Sequence, residues 1–76
     1  MDKLETQYYH DCVWFNKAQR AAGKALELSK KTADSYFVCI DDKTNMFGVG
    51  RGDKEPRWMK DCEDITYWIT VHALKN

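Results

Sequence analysis

"ITYWITV", residues 65–71, is the stretch whose reading decides the fold. As a strand, Ile65, Tyr67, Ile69 and Val71 alternate with Thr66, Trp68 and Thr70, which leaves one face to bury. As a helix, Ile65, Trp68, Ile69, His72 and Ala73 form a stripe that Asp61 could cap. β-branched side chains lose rotamer freedom in a helix, and Ile65, Thr66, Ile69, Thr70 and Val71 are all of that kind. The expectation is therefore a strand.

Upstream lie two more runs of β-formers, "YFVCI" (36–40) and "MFGVG" (46–50), separated by the turn-forming "DDKTN". They predict a hairpin over residues 36–50 with a five-residue loop. A lone hairpin is marginal in water, and the strand at 65–71 makes it a three-stranded antiparallel sheet.

Residues 2–31 contain no proline and are rich in Ala, Leu, Lys, Glu and Gln, which predicts one long N-terminal helix. Leu4, Tyr8, Phe15, Ala18, Ala22 and Leu26 then share a face, with Cys12 at its edge. Gly23 costs that helix roughly 1 kcal/mol against alanine and marks a place to bend. The expected fold class is α+β: a long N-terminal helix packed on a small three-stranded antiparallel sheet, residues 1–76 forming one domain. The alternative, α-β-β-α, makes the C-terminal segment a helix.

Such a helix would be about 45 Å long beside strands of about 17 Å, so it would overhang its sheet. Trp14, Ala21 and Leu28 recur on its flank, with Tyr9 and Val13 further round. A small sheet cannot cover all of these, which points to a partner protein or a second copy of the chain. Lys3, His10, Lys17, Lys24 and Lys31 recur on the opposite side and read as a solvated face, because acids balance them.

A chain of 76 residues has a thin core. Apolar residues make up 43% and ten residues are aromatic, which is the composition of a folded chain. Twelve basic and twelve acidic residues cancel, so long-range attraction to phosphate is weak. Three widely spaced cysteines, Cys12, Cys39 and Cys62, make a poor disulfide framework, and no long apolar run is present. The expected setting is reducing and cytoplasmic, with no membrane contact. The six residues "EDITYW" (63–68) resemble the terminal strand of small phage-encoded domains; so short a match carries no residue role with it.

"MFGVGRGDKEPRW" (46–58) holds three of the four glycines and the only proline. It lacks the Lys-Ser/Thr pair of a phosphate loop and the third glycine of a dinucleotide fingerprint. Gly48 and Gly50 instead share a strand face, where an aromatic ring can lie flat. Gly52, in the triplet Arg51-Gly52-Asp53, is free to take a positive φ as the chain leaves the hairpin. Arg51, Lys54, Arg57 and Lys60 recur beside Trp58, which would suit single-stranded nucleic acid. The interleaved Asp53, Glu55, Asp61, Glu63 and Asp64 favour a protein surface instead, with Arg and Trp as anchors.

No C-x₂-C pair and no calcium-loop spacing occurs, so no metal or other cofactor is expected. Nothing in the sequence pairs a cysteine with a histidine in an ordered way, which argues against an enzyme. The expected function is a small non-enzymatic interaction module, an inhibitor or adaptor blocking a partner protein's surface through Tyr9, Val13, Trp14, Leu28, Arg51, Lys54, Arg57 and Trp58. Nucleic-acid binding through loop 51–60 is the alternative, and homo-oligomerisation is compatible with both.

Overall fold

The computed structural model describes residues 6–73. Strands β1 (Thr6–Tyr9) and β2 (Cys12–Phe15) form a hairpin. Helix α1 (Ala18–Thr32) follows, then β3 (Tyr36–Asp41), β4 (Met46–Arg51) and β5 (Ile65–Val71). One helix therefore packs on one antiparallel sheet, and the α+β class holds. The sheet has five strands in the order β1-β2-β4-β3-β5. Strand β4 lies between β2 and β3 and is antiparallel to both, so β2 and β3 run parallel on either side of it, joined through α1.

Two expectations are corrected. The helix covers residues 18–32, and residues 6–15 are strands. Lys3 and Leu4, assigned to the long helix, lie outside the described residues. The turn between β1 and β2 is His10-Asp11, both residues left-handed at φ 55° and 57°. That is the two-residue geometry matching the twist of a hairpin. On either side stand aromatic, cysteine and valine residues, which pack well on a pleated surface. Separately, the three-stranded sheet gains β1 and β2, and the α-β-β-α alternative falls because residues 65–71 pair with β3 as a strand.

Helix α1 runs through Gly23 without interruption. Its buried residues Ala21, Ala25 and Ser29 are small and spaced by one turn, so the helix sits close to the sheet. Beneath them are Phe15, Tyr36, Val38 and Val49. The Ser29 hydroxyl donates to the Leu26 carbonyl at 2.8 Å, which satisfies it despite burial. Lys30 and Lys31 complement the C-terminal dipole, and Ala33 ends the helix in the left-handed region at φ 61°.

The opposite sheet face is covered by the segment after β4. Pro56 leads into a 3₁₀ turn, Arg57–Asp61, closed by Met59 N–H to Pro56 O and Cys62 N–H to Met59 O. Met59 is buried there with Cys12, Trp14, Phe37, Cys39, Met46 and Ile65, and Trp58, Cys62 and Tyr67 pack around them. Strands covered on both faces read as nearly unbroken apolar runs, as β3 does.

Glycine makes this second core. Gly48 pairs with Trp14 and Cys39, and Gly50 with Phe37. A Cβ on Gly48 would stand 2.8 Å from Trp14 Cε3 and Cζ3, and one on Gly50 would stand 2.8 Å from Cys12 Sγ while overlapping the Phe37 ring. The rings thus occupy the space that side chains on β4 would need. Trp14 is fully buried as a result. Gly52 takes φ 153° and donates its N–H to Ser35 O, as the chain leaves β4.

Candidate functional site

The predicted contact residues are split by the sheet. Val13 and Leu28 are half-buried in the helix-side core. Trp14 is fully enclosed on the other side, so it is a core residue and cannot reach a partner. Tyr9 ends β1 opposite Cys12. Lys54 and Arg57 are exposed, as is Arg51, which pairs with Asp34. Trp58 is half-buried, tilted against Phe37 at 6.4 Å and stacked on the His10 ring at 4.6 Å and 9°. The flank attributed to a long helix therefore does not exist as one surface, and Val13, Trp14, Ala21 and Leu28 are divided between two cores.

What is left bare lies on α1 at Leu26 and on β5. Among the described residues, Leu26, Trp68 and Ile69 are the large apolar side chains that stay exposed. Trp68 and Ile69 are consecutive, yet both belong to the helix side. The cause is a register shift: Val38 pairs with Ile69 and Cys39 with Tyr67, so Trp68 is an extra residue. The Trp68 ring meets Phe47 of the helix side at 6.3 Å. The Tyr67 and Thr70 hydroxyls hydrogen-bond to each other although three residues apart, because the shift puts both on the opposite face. Strict alternation across 65–71 is thus interrupted at its centre. α1 packs chiefly over β3 and β4 and only lightly on β5, so Trp68 and Ile69 stay partly open. β5 is also a sheet edge, with no charged residue between Ile65 and Val71.

A second feature lies at the other end of the sheet's opposite face. The β1–β2 turn carries His10 over the 3₁₀ turn, where Trp58 stacks on it and Cys62 Sγ lies 3.9 Å from His10 Nε2. His10, Cys62, Asp41, Asp61, Glu63 and Asp64 line a cleft of about 440 Å³, with Lys43 its cation among the described residues. Asp41 is buried at the floor and accepts the Lys43 backbone N–H at 3.0 Å. The sequence hid this pair because 52 positions separate its members.

The remaining thiols, Cys12 and Cys39, are buried and hydrogen-bonded to one another across Gly48 and Gly50. That bond, then burial, pushes the Cys39 thiol far above its ordinary range, while the same bond pulls Cys12 down against its burial. They sit on strands separated by β4, about 9.6 Å apart at two strand spacings. A disulfide needs α-carbons within about 7 Å, so the pair is held as thiols. No group of three or more His, Cys, Asp or Glu side chains among the described residues is placed to hold a metal ion. No helix among them is long and apolar enough to cross a membrane.

No family profile, curated protein or solved structure matches this chain. The likeness of "EDITYW" to phage domains gains no support from them.

Proposed function

We propose that the protein is a small non-enzymatic interaction module of the cytoplasm, an inhibitor or adaptor, whose contact surface is the outer edge and helix-side face of β5. Trp68 and Ile69, exposed side by side on an uncharged edge strand, carry the reading. Edge strands are ordinarily guarded by charge or proline because their free N–H and C=O groups template pairing. Here an apolar bulge interrupts the strand, and it places two side chains on the helix-side face next to that edge. The occupant this surface suits is an extended apolar segment of a partner protein, added as a sixth strand. A basic residue in that segment would meet Glu63 and Asp64 at the start of β5. Arg57 and Lys54 are exposed on the opposite layer and lie outside this surface. Base stacking on Trp58 is disfavoured, since His10 already occupies one face of the indole.

The test pairs capture with protection. A protein retained by the wild type should be lost with Trp68→Ser/Ile69→Lys and kept with Lys54→Glu/Arg57→Glu. Amide exchange on the purified complex should slow at residues 65–71. Retention by the first variant, or protection confined to residues 51–60, would overturn the proposal. Protection of 65–71 at high concentration without any partner would assign the edge to a second copy.

A further inference from the structure

The geometry points to Cys62 as the chain's modifiable thiol, with His10 as the acceptor of its proton and small cationic disulfides as its co-reactants. Three observations combine. Cys12 and Cys39 are sealed in the core, whereas Cys62 reaches the cleft. His10 Nε2 lies 3.9 Å from Cys62 Sγ, and the imidazole is fixed from two sides, by its place in the left-handed turn and by the stack on Trp58. The walls are acidic: Asp41, Asp61, Glu63 and Asp64 against Lys43. A nucleophile beside an oriented base is the arrangement that activates thiols, and the thiolate is the attacking form.

The disulfide is itself the oxidant, and the step balances with it. His10 Nε2 takes the Cys62 proton, and the sulfur attacks one sulfur of the disulfide. A new S–S bond forms at Cys62 as the old one breaks. The departing thiolate then takes the proton from His10 and leaves as a thiol. The four carboxylates that line the cleft repel an anionic disulfide and attract a cationic one, so charge selects the co-reactant.

The experiment follows mass gain on the intact protein at pH 7 with cystamine, bis(2-hydroxyethyl) disulfide and oxidised glutathione, each rate divided by that of a short unstructured cysteine peptide. We expect one adduct, at Cys62, and a cystamine-to-glutathione ratio about tenfold above the peptide's, collapsing in 1 M salt. Glu63→Gln/Asp64→Asn should lower that ratio. His10→Asn should slow all three reagents about tenfold, and asparagine tolerates the left-handed turn, so the fold is kept. Peptide-like selectivity would overturn the charge argument. Equal rates in wild type and His10→Asn would remove the histidine's role. Modification at Cys12 or Cys39 ahead of Cys62 would overturn the site itself.

Discussion

A single methyl group placed on Gly48 should cost this protein a large part of its stability. The added Cβ of Gly48→Ala would stand 2.8 Å from two carbons of the Trp14 ring and 2.9 Å from a third. Ordinary carbon contacts are about 3.5–4.0 Å, so the ring must withdraw by nearly 1 Å. It has nowhere to go, being fully buried between β4, Cys39 and the 3₁₀ turn. Overpacking of this kind costs about 1–3 kcal/mol, and the enclosed indole places the loss near the upper end. Removing glycine from a strand interior returns roughly 0.5–1 kcal/mol, leaving a net loss of about 2 kcal/mol. In a domain of this size each kcal/mol moves Tm by about 4–8 °C, so a fall of about 8–16 °C is expected in thermal melts by circular dichroism. Gly23→Ala is the control, because nothing lies within 4 Å of a Cβ there. The same substitution should then stabilise, by about 0.5–1 kcal/mol. The double variant Trp14→Leu/Gly48→Ala should be less unstable than the sum of its parts. If Gly48→Ala melts within 2 °C of wild type, or the two changes add, the ring is not held against the glycine as described.

Other outcomes follow from local geometry. Ala33→Gly should raise stability by about 0.5–1 kcal/mol in urea titrations, since Ala33 caps α1 at φ 61°, where glycine is unstrained; no gain would place the cap elsewhere. Cys39 keeps its proton in the fold well beyond the point, about pH 8.5, at which an unfolded thiol loses it. Above that pH the folded state binds the extra proton, so this contribution is full below pH 8.5 and is lost as pH rises further. Cys12, pulled down, adds the opposite slope just below that range. Stability against pH in Cys12→Ala/Cys39→Ala should be flatter than wild type between about pH 8 and 10, and parallel curves would refute the linkage. The oxidant diamide should close no disulfide between Cys12 and Cys39 in the folded protein; a loss of two mass units mapping to that pair would show that β4 does not separate them. Asp34→Asn breaks the exposed pair with Arg51 and should change stability by less than about 1 kcal/mol; a larger drop on urea titration would mean that the pair is not solvated.

Much of the sheet was legible in the sequence. The hairpin at 36–50 and the strand at 65–71 announced themselves through β-branched and aromatic runs, and Gly48 and Gly50 announced flat-lying rings. The hairpin loop is one residue shorter than its composition suggested, because Asp41 pairs with Met46 as a strand residue. The N-terminal hairpin was hidden for physical reasons. Its turn uses His10 and Asp11, which tolerate left-handed backbone less well than Asn-Gly, the usual signal. Tyr8, Phe15, Ala18, Ala22 and Leu26 also happen to match a helical period, so the helix-forming composition of 18–32 runs on without a visible break into residues that are strands. Trp14 thus passed for a surface residue when it is the centre of the second core. The bulge at Trp68 was invisible because alternation across 65–71 is complete in the residue types, and only pairing with β3 reveals the slip. The His10–Cys62 contact needed the topology itself.

The placement of β4 between β2 and β3 constrains the order of events at synthesis. β2 leaves the ribosome without a neighbour on its inner side, and it must wait for residues 46–51 to complete its ladder. Even then Trp14 and Phe37 face solvent, because their cover arrives only with Met59 and Ile65. The nascent chain therefore displays two large aromatic rings until residues 59–65 have emerged, a window in which chaperones have something to grip. A chain ended at Gly52 retains every residue of α1 and of β1 to β4, and should bind a dye that reports exposed apolar surface where the chain of residues 1–76 does not.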